Sequence, residues 1–186
     1  MIYSPEAFIA QIFLTFERRG GLHYGEAVTQ LDHALQTAHN AHSAGEPEAL
    51  VAAALLHDIG HLIPDEGEDA ADRGMDMKHQ EIGAAWLEQG FGPDLTEPVR
   101  LHVEAKRYLA ARADGYLEGL SRASLESLRL QGGPMSDSEA EAFQTAAGFA
   151  AAIRLRQYDD LGKVDRAQIP PLAAYRERLL VLVARN

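Results

Sequence analysis

The chain has 186 residues and a net charge of −11, since 17 Lys and Arg residues stand against 28 Asp and Glu residues. A chain of this length builds one domain with a substantial core, and its charge argues against nucleic acid or an anionic membrane as a partner. It contains no Cys, so disulfides, thiolate nucleophiles and thiolate metal sites are excluded. Any metal site must therefore use His nitrogen and carboxylate oxygen atoms.

The N-terminus indicates where the protein is found. Residues 1–6 have neither the basic start nor the apolar run of a signal peptide. No stretch approaches the ~18 consecutive apolar residues of a membrane span. We therefore expect a cytoplasmic protein, with residues 1–186 forming a single domain.

Three helices are predicted in the first third of the chain. The pair Ser4-Pro5 is typical of a helix start, and apolar residues then recur at helical spacing as far as Phe16. A second helix is predicted over residues 28–44. The third starts near Pro47 and is apolar almost all round, which indicates burial in the middle of the domain.

Residues 62–76 interrupt this pattern with acidic side chains, which indicates a solvated loop rather than a binding surface. Five more helices are predicted: over residues 77–89, over 98–109, over 121–130, from the capping box at Ser136 to about Asp160, and after Pro170-Pro171. No segment alternates convincingly like a strand. The predicted fold is therefore all-α.

The densest group of chemically active side chains follows the third helix, in the sequence His57-Asp58-Ile59-Gly60-His61. An adjacent His-Asp pair can place a nitrogen and a carboxylate oxygen on one metal ion, and the second oxygen can bridge to another. A polar group at the end of an apolar helix is costly unless it is satisfied. A hydrogen-bonded helix end is the alternative, but three titratable groups within five residues favour a metal site.

Other candidate ligands are weak signals when each is taken alone. His33 lies beside the apolar stripe of the second helix, where an ordinary core histidine is the simpler interpretation. His79 opens a predicted helix and His102 lines the next one. Arg156 and Asp159 share a helical face, an arrangement that a surface ion pair would also explain.

Taken together, these residues resemble the HD-domain superfamily, whose signature is a His, an adjacent His-Asp pair and a distant Asp. The matching residues here are His33, His57, Asp58 and Asp159. Two further histidines, His79 and His102, favour a centre with two metal ions, which needs six ligands, over a mononuclear one, which needs four. The resemblance implies a single HD-domain helical bundle.

Further motifs narrow the resemblance to the HD-domain mixed-valent diiron oxygenases of phosphonate catabolism, the PhnZ type. These motifs are Tyr24-Gly25-Glu26 ahead of His33, Lys106 four residues after His102, and the late run Arg156 to Leu161. The resemblance spans roughly Leu22 to Lys163, which is most of the chain.

That family cleaves a carbon–phosphorus bond with O2 as co-substrate. The resemblance implies a 1-hydroxy-2-(amino or trimethylammonio)ethylphosphonate as substrate, and phosphate with glycine or glycine betaine as products. It also implies two iron ions in a mixed-valent Fe2+/Fe3+ centre. Asp58 would bridge them, with His33, His57 and Asp159 on one iron and His79 and His102 on the other.

The resemblance implies roles for residues around the metals as well. Tyr24 would occupy the iron until the substrate displaces it, and Glu26 would receive the substrate's cationic amine, so both are expected to be catalytic. A dianionic phosphonate needs local positive charge in a chain of −11. The residues expected to bind the substrate are Glu26, His61, Lys106, Ser124 and Arg156.

Two other functions remain as alternatives. A metal-dependent phosphohydrolase would use the same ligands to activate water against a phosphate ester or nucleotide. A non-catalytic regulator with the same fold would be expected to have lost ligands, and none of the six is missing. The segment Tyr24-Gly25-Glu26 and the cations Lys106 and Arg156 favour the oxygenase. The methylation of the amine and the oligomeric state are left open.

Overall fold

The computed structural model describes residues 4–24, 28–63 and 78–184. Within these ranges the chain forms ten α-helices and no strand beyond an isolated bridge between His23 and Thr29, which confirms the all-α fold. The helices are α1 (Pro5–Arg19), α2 (Gln30–Ser43), α3 (Glu48–Leu56), α4 (His79–Leu87), α5 (Pro93–Arg112), α6 (Tyr116–Gly119), α7 (Arg122–Leu130), α8 (Asp137–Phe143), α9 (Phe149–Leu161) and α10 (Arg176–Ala184).

Two predicted helix starts are confirmed by their capping contacts. The Ser4 hydroxyl accepts a hydrogen bond from the Ala7 amide, and Pro5 occupies the first helical position of α1. Ser136 caps α8 through the predicted capping box, in which the Glu139 carboxylate accepts from the Ser136 amide at 2.8 Å. Local chemistry alone is therefore sufficient to place these two starts.

Helix α3 is the centre of the bundle, as its apolar sequence predicts. Every residue from Leu50 to Leu56 is buried, with no more than 3% exposure. The helix packs against α2, α5, α9 and α10. Because α3 is surrounded by other helices, the polar residues that follow it are delivered into the interior.

The predicted start of α5 at residue 98 is wrong, because the helix begins at Pro93. Gly92 is its N-cap and Pro93 takes the first helical position, where a missing N–H costs nothing. Pro98 lies inside the helix and has no N–H to donate to the carbonyl of Asp94, an exposed residue one turn earlier. Gly92-Pro93, which lies between the two helices predicted over residues 77–89 and 98–109, is therefore a helix start.

The predicted helix from Ser136 to about Asp160 is two helices, α8 and α9, separated at residues 144–148. Gly148 passes close to α5 at this break. A Cβ atom on Gly148 would lie 3.0 Å from Leu101 Cδ1 and 3.1 Å from Glu97 Cβ. The break between the two helices therefore falls where α5 leaves little room for a side chain, a contact that local sequence does not reveal.

The other predicted elements agree with the structure apart from their ends. Short 3-10 segments cover Ile59–His61 and Leu172–Tyr175, the latter directly before α10. The short helix α6 has no counterpart among the predictions. The predicted acidic loop falls almost entirely on residues 64–77, outside the described residues. Among the described residues, no helix combines the length and apolar character needed to cross a bilayer.

Five helices converge at the position of the predicted metal ligands. Helix α5 packs against α3, α4 and α9, and α2 packs against α3 and α9. Each of these five helices carries, within it or directly at its end, at least one of the ligands predicted from the sequence. The packing of the bundle therefore determines how those ligands meet.

Candidate metal centre

The six predicted metal ligands lie together in the interior, and none is more than 9% exposed. Their order along the chain distributes them over separate helices, so only the tertiary fold can bring them together. They are His33 in α2, His57 and Asp58 after α3, His79 at the start of α4, His102 in α5 and Asp159 in α9.

Asp58 lies between two pairs of histidines. Its Oδ2 atom is 3.3 Å from His57 Nε2 and 3.7 Å from His33 Nε2. Its Oδ1 atom is 3.2 Å from His79 Nε2 and 3.5 Å from His102 Nε2. The two oxygens of one carboxylate therefore face two separate sets of imidazole nitrogens, as a bridging ligand requires.

Asp159 joins only the first of these sets. Its Oδ1 atom is 3.3 Å from His33 Nε2, and its Oδ2 atom is 3.9 Å from His57 Nε2. One side of Asp58 therefore has two imidazoles and a second carboxylate, while the other side has two imidazoles. This division is the one that the resemblance implied for the two metals.

Backbone carbonyl groups orient the imidazole rings. Three Nδ1 atoms each donate to a carbonyl oxygen: His33 to Gly162 at 2.9 Å, His57 to Ala54 at 2.9 Å and His102 to Val99 at 2.7 Å. A ring that carries its proton on Nδ1 has a lone pair on Nε2. Each of these three rings therefore presents a donor atom to the centre, in the arrangement usual for metal-binding histidines.

The Nε2 atoms face each other closely. Those of His33 and His57 are 3.2 Å apart, and those of His79 and His102 are 3.1 Å apart. In the neutral form of both rings, with Nδ1 as the donor, the Nε2 atoms of His33 and His57 are both acceptors and cannot satisfy each other. A cation between them would satisfy both. The donor set of imidazoles and carboxylates thus fits a metal ion on each side of Asp58.

The charges in the centre also favour bound cations. Burial alone would raise the pKa of Asp58, but the neighbouring His57 holds it well below the usual range. Burial likewise opposes the ionisation of Asp159, and Arg156 outweighs it, so the pKa of this carboxyl is also lowered. For His57, burial is outweighed by Asp58 and Asp159, and its pKa rises to about 9. A metal ion bound at its Nε2 atom would take the place of the second proton on this ring. Two ionised carboxylates in the interior thus draw positive charge to this point.

Tyr24 lies at the edge of the centre. Its ring stacks on His33 with the ring centroids 3.8 Å apart, and its hydroxyl is 3.5 Å from Asp159 Oδ1. Burial, with a further contribution from Asp159, raises the pKa of this phenol well above its ordinary value. The tyrosine therefore stands next to the ligands as a neutral phenol. Glu26, predicted to bind the amine, lies outside the described residues.

His61 is exposed, and its ring stacks on that of His79 with the centroids 3.9 Å apart. Ligand atoms of Asp58, His61 and His79 lie within 4.8 Å of one another, as do those of His33, His57 and Asp58. His61 is thus close enough to contact a metal ion held by Asp58 and His79, or a substrate bound to such an ion. Its predicted part in substrate binding stays a prediction.

Lys106 and Ser124 are both buried beside α7. Each forms a hydrogen bond with a residue that the sequence analysis missed, Ser127 and Lys163 respectively. The Lys106 ammonium donates to Ser127 Oγ at 2.8 Å, and the Lys163 ammonium donates to Ser124 Oγ at 2.7 Å. Burial and the nearby Arg156 lower the pKa of Lys106 to about 8. One sequence signal pointed to Ser127. It lies three residues after Ser124, which places both hydroxyls on one face of α7.

Arg156 is buried, which excludes the surface ion pair considered from the sequence. Its guanidinium donates to Asp159 Oδ2 and to both oxygens of Asp160. Its Nε atom also donates to the Tyr116 hydroxyl at 2.9 Å, and that hydroxyl donates to Asp160 at 2.6 Å. Arg156 therefore orients the predicted ligand Asp159 directly. Two residues that the sequence analysis did not assign to the site, Tyr116 and Asp160, hold its guanidinium in place.

Comparison with known proteins identifies the family. The HD domain family matches residues 31–143. Hydroxymethylphosphonate dioxygenase of Gimesia maris is 41% identical over 173 residues, covering 92% of this chain and 86% of that protein. The glycine-betaine-forming 1-hydroxy-2-(trimethylamino)ethylphosphonate dioxygenase of Leisingera caerulea is 45% identical over 149 residues, covering 80% and 76%.

A third relative, uncharacterized protein L432 of Acanthamoeba polyphaga mimivirus, is 37% identical over 174 residues, covering 92% of this chain and 80% of that protein. The first two relatives carry the names of phosphonate dioxygenases, the group that the sequence motifs resemble. The chain belongs to the HD-domain family and, within it, to the HD-domain phosphonate dioxygenases.

Proposed function

We propose that this protein is a dioxygenase that cleaves the carbon–phosphorus bond of a 1-hydroxyphosphonate and releases phosphate. The observation that carries this proposal is the position of Asp58, whose two oxygens face two pairs of imidazole nitrogens. In this reaction the carbon–phosphorus bond breaks, the carbon that bears the hydroxyl is oxidised to a carboxylate, and phosphorus leaves as phosphate. O2 is reduced, and both of its oxygen atoms enter the products. The similarity to two phosphonate dioxygenases supports the same reaction.

We propose two iron ions, in a mixed-valent Fe2+/Fe3+ pair, as the cofactor. His33, His57 and Asp159 would hold one iron, His79 and His102 the other, and Asp58 both. Imidazole and carboxylate ligands without thiolate suit iron in an oxygenase. When bound, the pair supplies the Lewis acidity and the redox capacity that oxidation by O2 requires.

The residues around the centre would bind and place the substrate. Lys106 offers a buried ammonium to the phosphonate, Ser124 a hydroxyl and His61 an imidazole. Arg156 adds positive charge nearby while it orients Asp159. Tyr24 lies against His33, where an incoming substrate would displace it. The substrate is thereby positioned with its hydroxyl toward the metals.

We propose a 1-hydroxy-2-(amino or trimethylammonio)ethylphosphonate as the substrate, with glycine or glycine betaine as the second product. One named relative acts on a trimethylamino compound and the other on hydroxymethylphosphonate, which has no amine. Glu26 is the residue that would distinguish these substrates, because a carboxylate favours an ammonium partner.

Glu26→Gln is expected to weaken turnover of the trimethylammonio substrate by roughly 10-fold to 100-fold, as loss of a charged contact does. Turnover of hydroxymethylphosphonate should change little, because that compound has no ammonium to lose a partner. The measurement is kcat/KM for both compounds in both proteins. Equal losses for the two substrates would show that Glu26 has a structural role and does not recognise the amine.

Phosphonate affinity is expected to fall as the pH rises through about 8, where Lys106 loses its proton. The protonated ammonium attracts the dianion and the neutral amine does not, so the Kd should rise by up to about tenfold per pH unit above that pKa. Calorimetry on anaerobic, iron-loaded protein measures this slope. Lys106→Met should bind more weakly at pH 7 and lose the dependence between pH 8 and 9. If the Kd of Lys106→Met depended on pH as that of the wild type does, the titrating group would be one other than Lys106.

The test of the proposed reaction follows phosphate release and dissolved oxygen in one cuvette. The iron-loaded protein is given hydroxymethylphosphonate and the amino and trimethylammonio ethylphosphonates, with an anaerobic control. We expect phosphate to appear in step with oxygen loss and not to appear under anaerobic conditions. Phosphate released from ordinary phosphate esters without oxygen uptake would instead establish the phosphohydrolase.

A further inference from the structure

We propose that Lys163 is a further phosphonate-binding residue, which makes a direct cationic contact beside that of Lys106. The inference rests on the proposed function and adds a residue to its substrate site. Lys163 follows α9, four residues after the ligand Asp159, and its side chain is 14% exposed. Its ammonium donates to the hydroxyl of the buried Ser124 at 2.7 Å.

Two lysines reach the same face of α7 from different parts of the fold. Lys106 comes from α5 and contacts Ser127, while Lys163 comes from the chain after α9 and contacts Ser124. These serines lie one helical turn apart, about 5–6 Å between Cβ atoms. A phosphonate has three oxygens on one phosphorus atom. Two ammonium groups, each at the hydroxyl of one of these serines, suit such a group.

The present partners of Lys163 are ones that it can exchange for a phosphonate. An ammonium has three N–H donors, and the neutral hydroxyl of Ser124 accepts one of them. Among the described residues, its nearest carboxylate contact is Asp160 Oδ1, at 4.0 Å. A dianionic oxygen is a stronger acceptor than a hydroxyl. Replacing the hydrogen bond to Ser124 with a contact to the substrate therefore costs little free energy.

Arg156 is in the opposite situation. Its guanidinium already donates to the carboxylates of Asp159 and Asp160 and to the Tyr116 hydroxyl. Three of its five N–H groups are therefore engaged, and a movement of Arg156 toward the phosphonate would disturb Asp159, which the proposed function needs as a metal ligand. Lys163 makes no hydrogen bond to Asp159 among the described contacts, so it can approach the phosphonate without disturbing that ligand.

Lys163 is also placed next to the metal centre. Its ammonium is 6.0 Å from the centroid of the Tyr24 ring, which stacks on His33. The preceding residue, Gly162, accepts the hydrogen bond from His33 Nδ1. A phosphonate held by Lys163 would therefore lie on the side of the centre where His33 and Asp159 meet.

The experiment compares Lys163→Met and Lys163→Gln with the wild type, Lys163→Arg and a matched surface variant, Arg166→Gln. Arg166 lies three residues away with its side chain 91% exposed, so this control removes one positive charge without touching the site. The probe is hydroxymethylphosphonate, added to anaerobic, iron-loaded protein in a calorimeter. Steady-state kcat and KM and the iron content of each variant are measured in parallel.

We expect Lys163→Met and Lys163→Gln to raise the Kd and KM by about tenfold or more, with kcat and iron content changed much less. Lys163→Arg should recover part of the affinity, and Arg166→Gln should stay within about twofold of the wild type. An unchanged Kd in both neutral variants, while Lys106→Met binds more weakly, would overturn the assignment of Lys163 and leave the proposed function intact.

The two proposals can fail separately. If the wild type releases no phosphate from any phosphonate, the proposed function is wrong, and the binding of inorganic phosphate to the same proteins then tests Lys163 as an anion-binding residue. Weaker phosphate binding in both neutral variants but not in Arg166→Gln would support that role. Equal phosphate binding in all of them would overturn it.

Discussion

Asp58→Ala is expected to abolish the binding of both metal ions. Each oxygen of this carboxylate faces one pair of histidines, and no other carboxylate among the described residues lies between the two pairs. Without it, each ion loses a charged ligand, and the second loses its only carboxylate from the predicted set. The measurement is iron per chain after anaerobic reconstitution and desalting, which should fall from two to nearly zero.

Two further variants sharpen this prediction. Asp58→Asn keeps the shape but replaces one oxygen with an NH2 group, which cannot bind a metal through a lone pair. We expect it to retain at most one iron. Asp165→Asn removes a carboxylate whose side chain is 61% exposed and should bind iron as the wild type does. Two irons per chain and turnover in Asp58→Ala would disprove the bridging role.

Gly60→Ala is expected to damage the second metal site and to destabilise the fold. A Cβ atom on Gly60 would lie 2.0 Å from the carbonyl oxygen of His79 and 3.0 Å from the amide nitrogen of Gly83. Both are backbone atoms of α4, so the helix that carries His79 must move. Overpacking of this kind costs about 1–3 kcal/mol, and more where backbone is displaced. We expect a free energy of unfolding lower by about 3 kcal/mol, at the upper end of that range.

The control for this substitution is Gly21→Ala. A Cβ atom on Gly21 would meet no atom of the described residues within 4 Å, and its φ is not positive, so alanine there should leave stability and metal content unchanged. Urea unfolding of the apoproteins gives the stability difference, and iron analysis gives the occupancy. Gly60→Ala should retain less iron, because His79 is displaced. A Gly60→Ala protein as stable as Gly21→Ala, with two irons per chain, would show that α4 is not held at this contact.

The sequence was sufficient to predict part of this buried cluster because the chemistry of these residues is unusual where it occurs. His57 and Asp58 end a helix that is apolar on every side, and a buried polar pair needs a partner that the sequence must supply elsewhere. For His33, by contrast, the sequence alone favoured an ordinary core histidine. Only the resemblance to the HD-domain superfamily connected it with Asp159. The structure brings their side chains to 3.3 Å. Their roles as metal ligands stay a prediction that the iron analysis tests.

What the sequence could not show depends on contacts between distant segments. Lys163 is a single cation in an irregular segment, where neither spacing nor periodicity marks it, and its partner Ser124 lies 39 residues earlier. The carbonyl of Gly162 orients His33 across 129 residues. The break before α9 has the same origin, because Gly148 meets α5. The prediction that residues 1–186 form a single domain stays a prediction.

The most direct test of the carbon–phosphorus oxygenase is to trace oxygen atoms from 18O2. Iron-loaded protein is mixed with hydroxymethylphosphonate, and with the trimethylammonio compound, in unlabelled water under 18O2, and both products are analysed by mass spectrometry. The carboxylate product contains an oxygen atom that the substrate lacks. The account predicts that this atom carries 18O and that labelled carboxylate accumulates in step with phosphate. Phosphate released without 18O in either product, and at the same rate without oxygen, would contradict it.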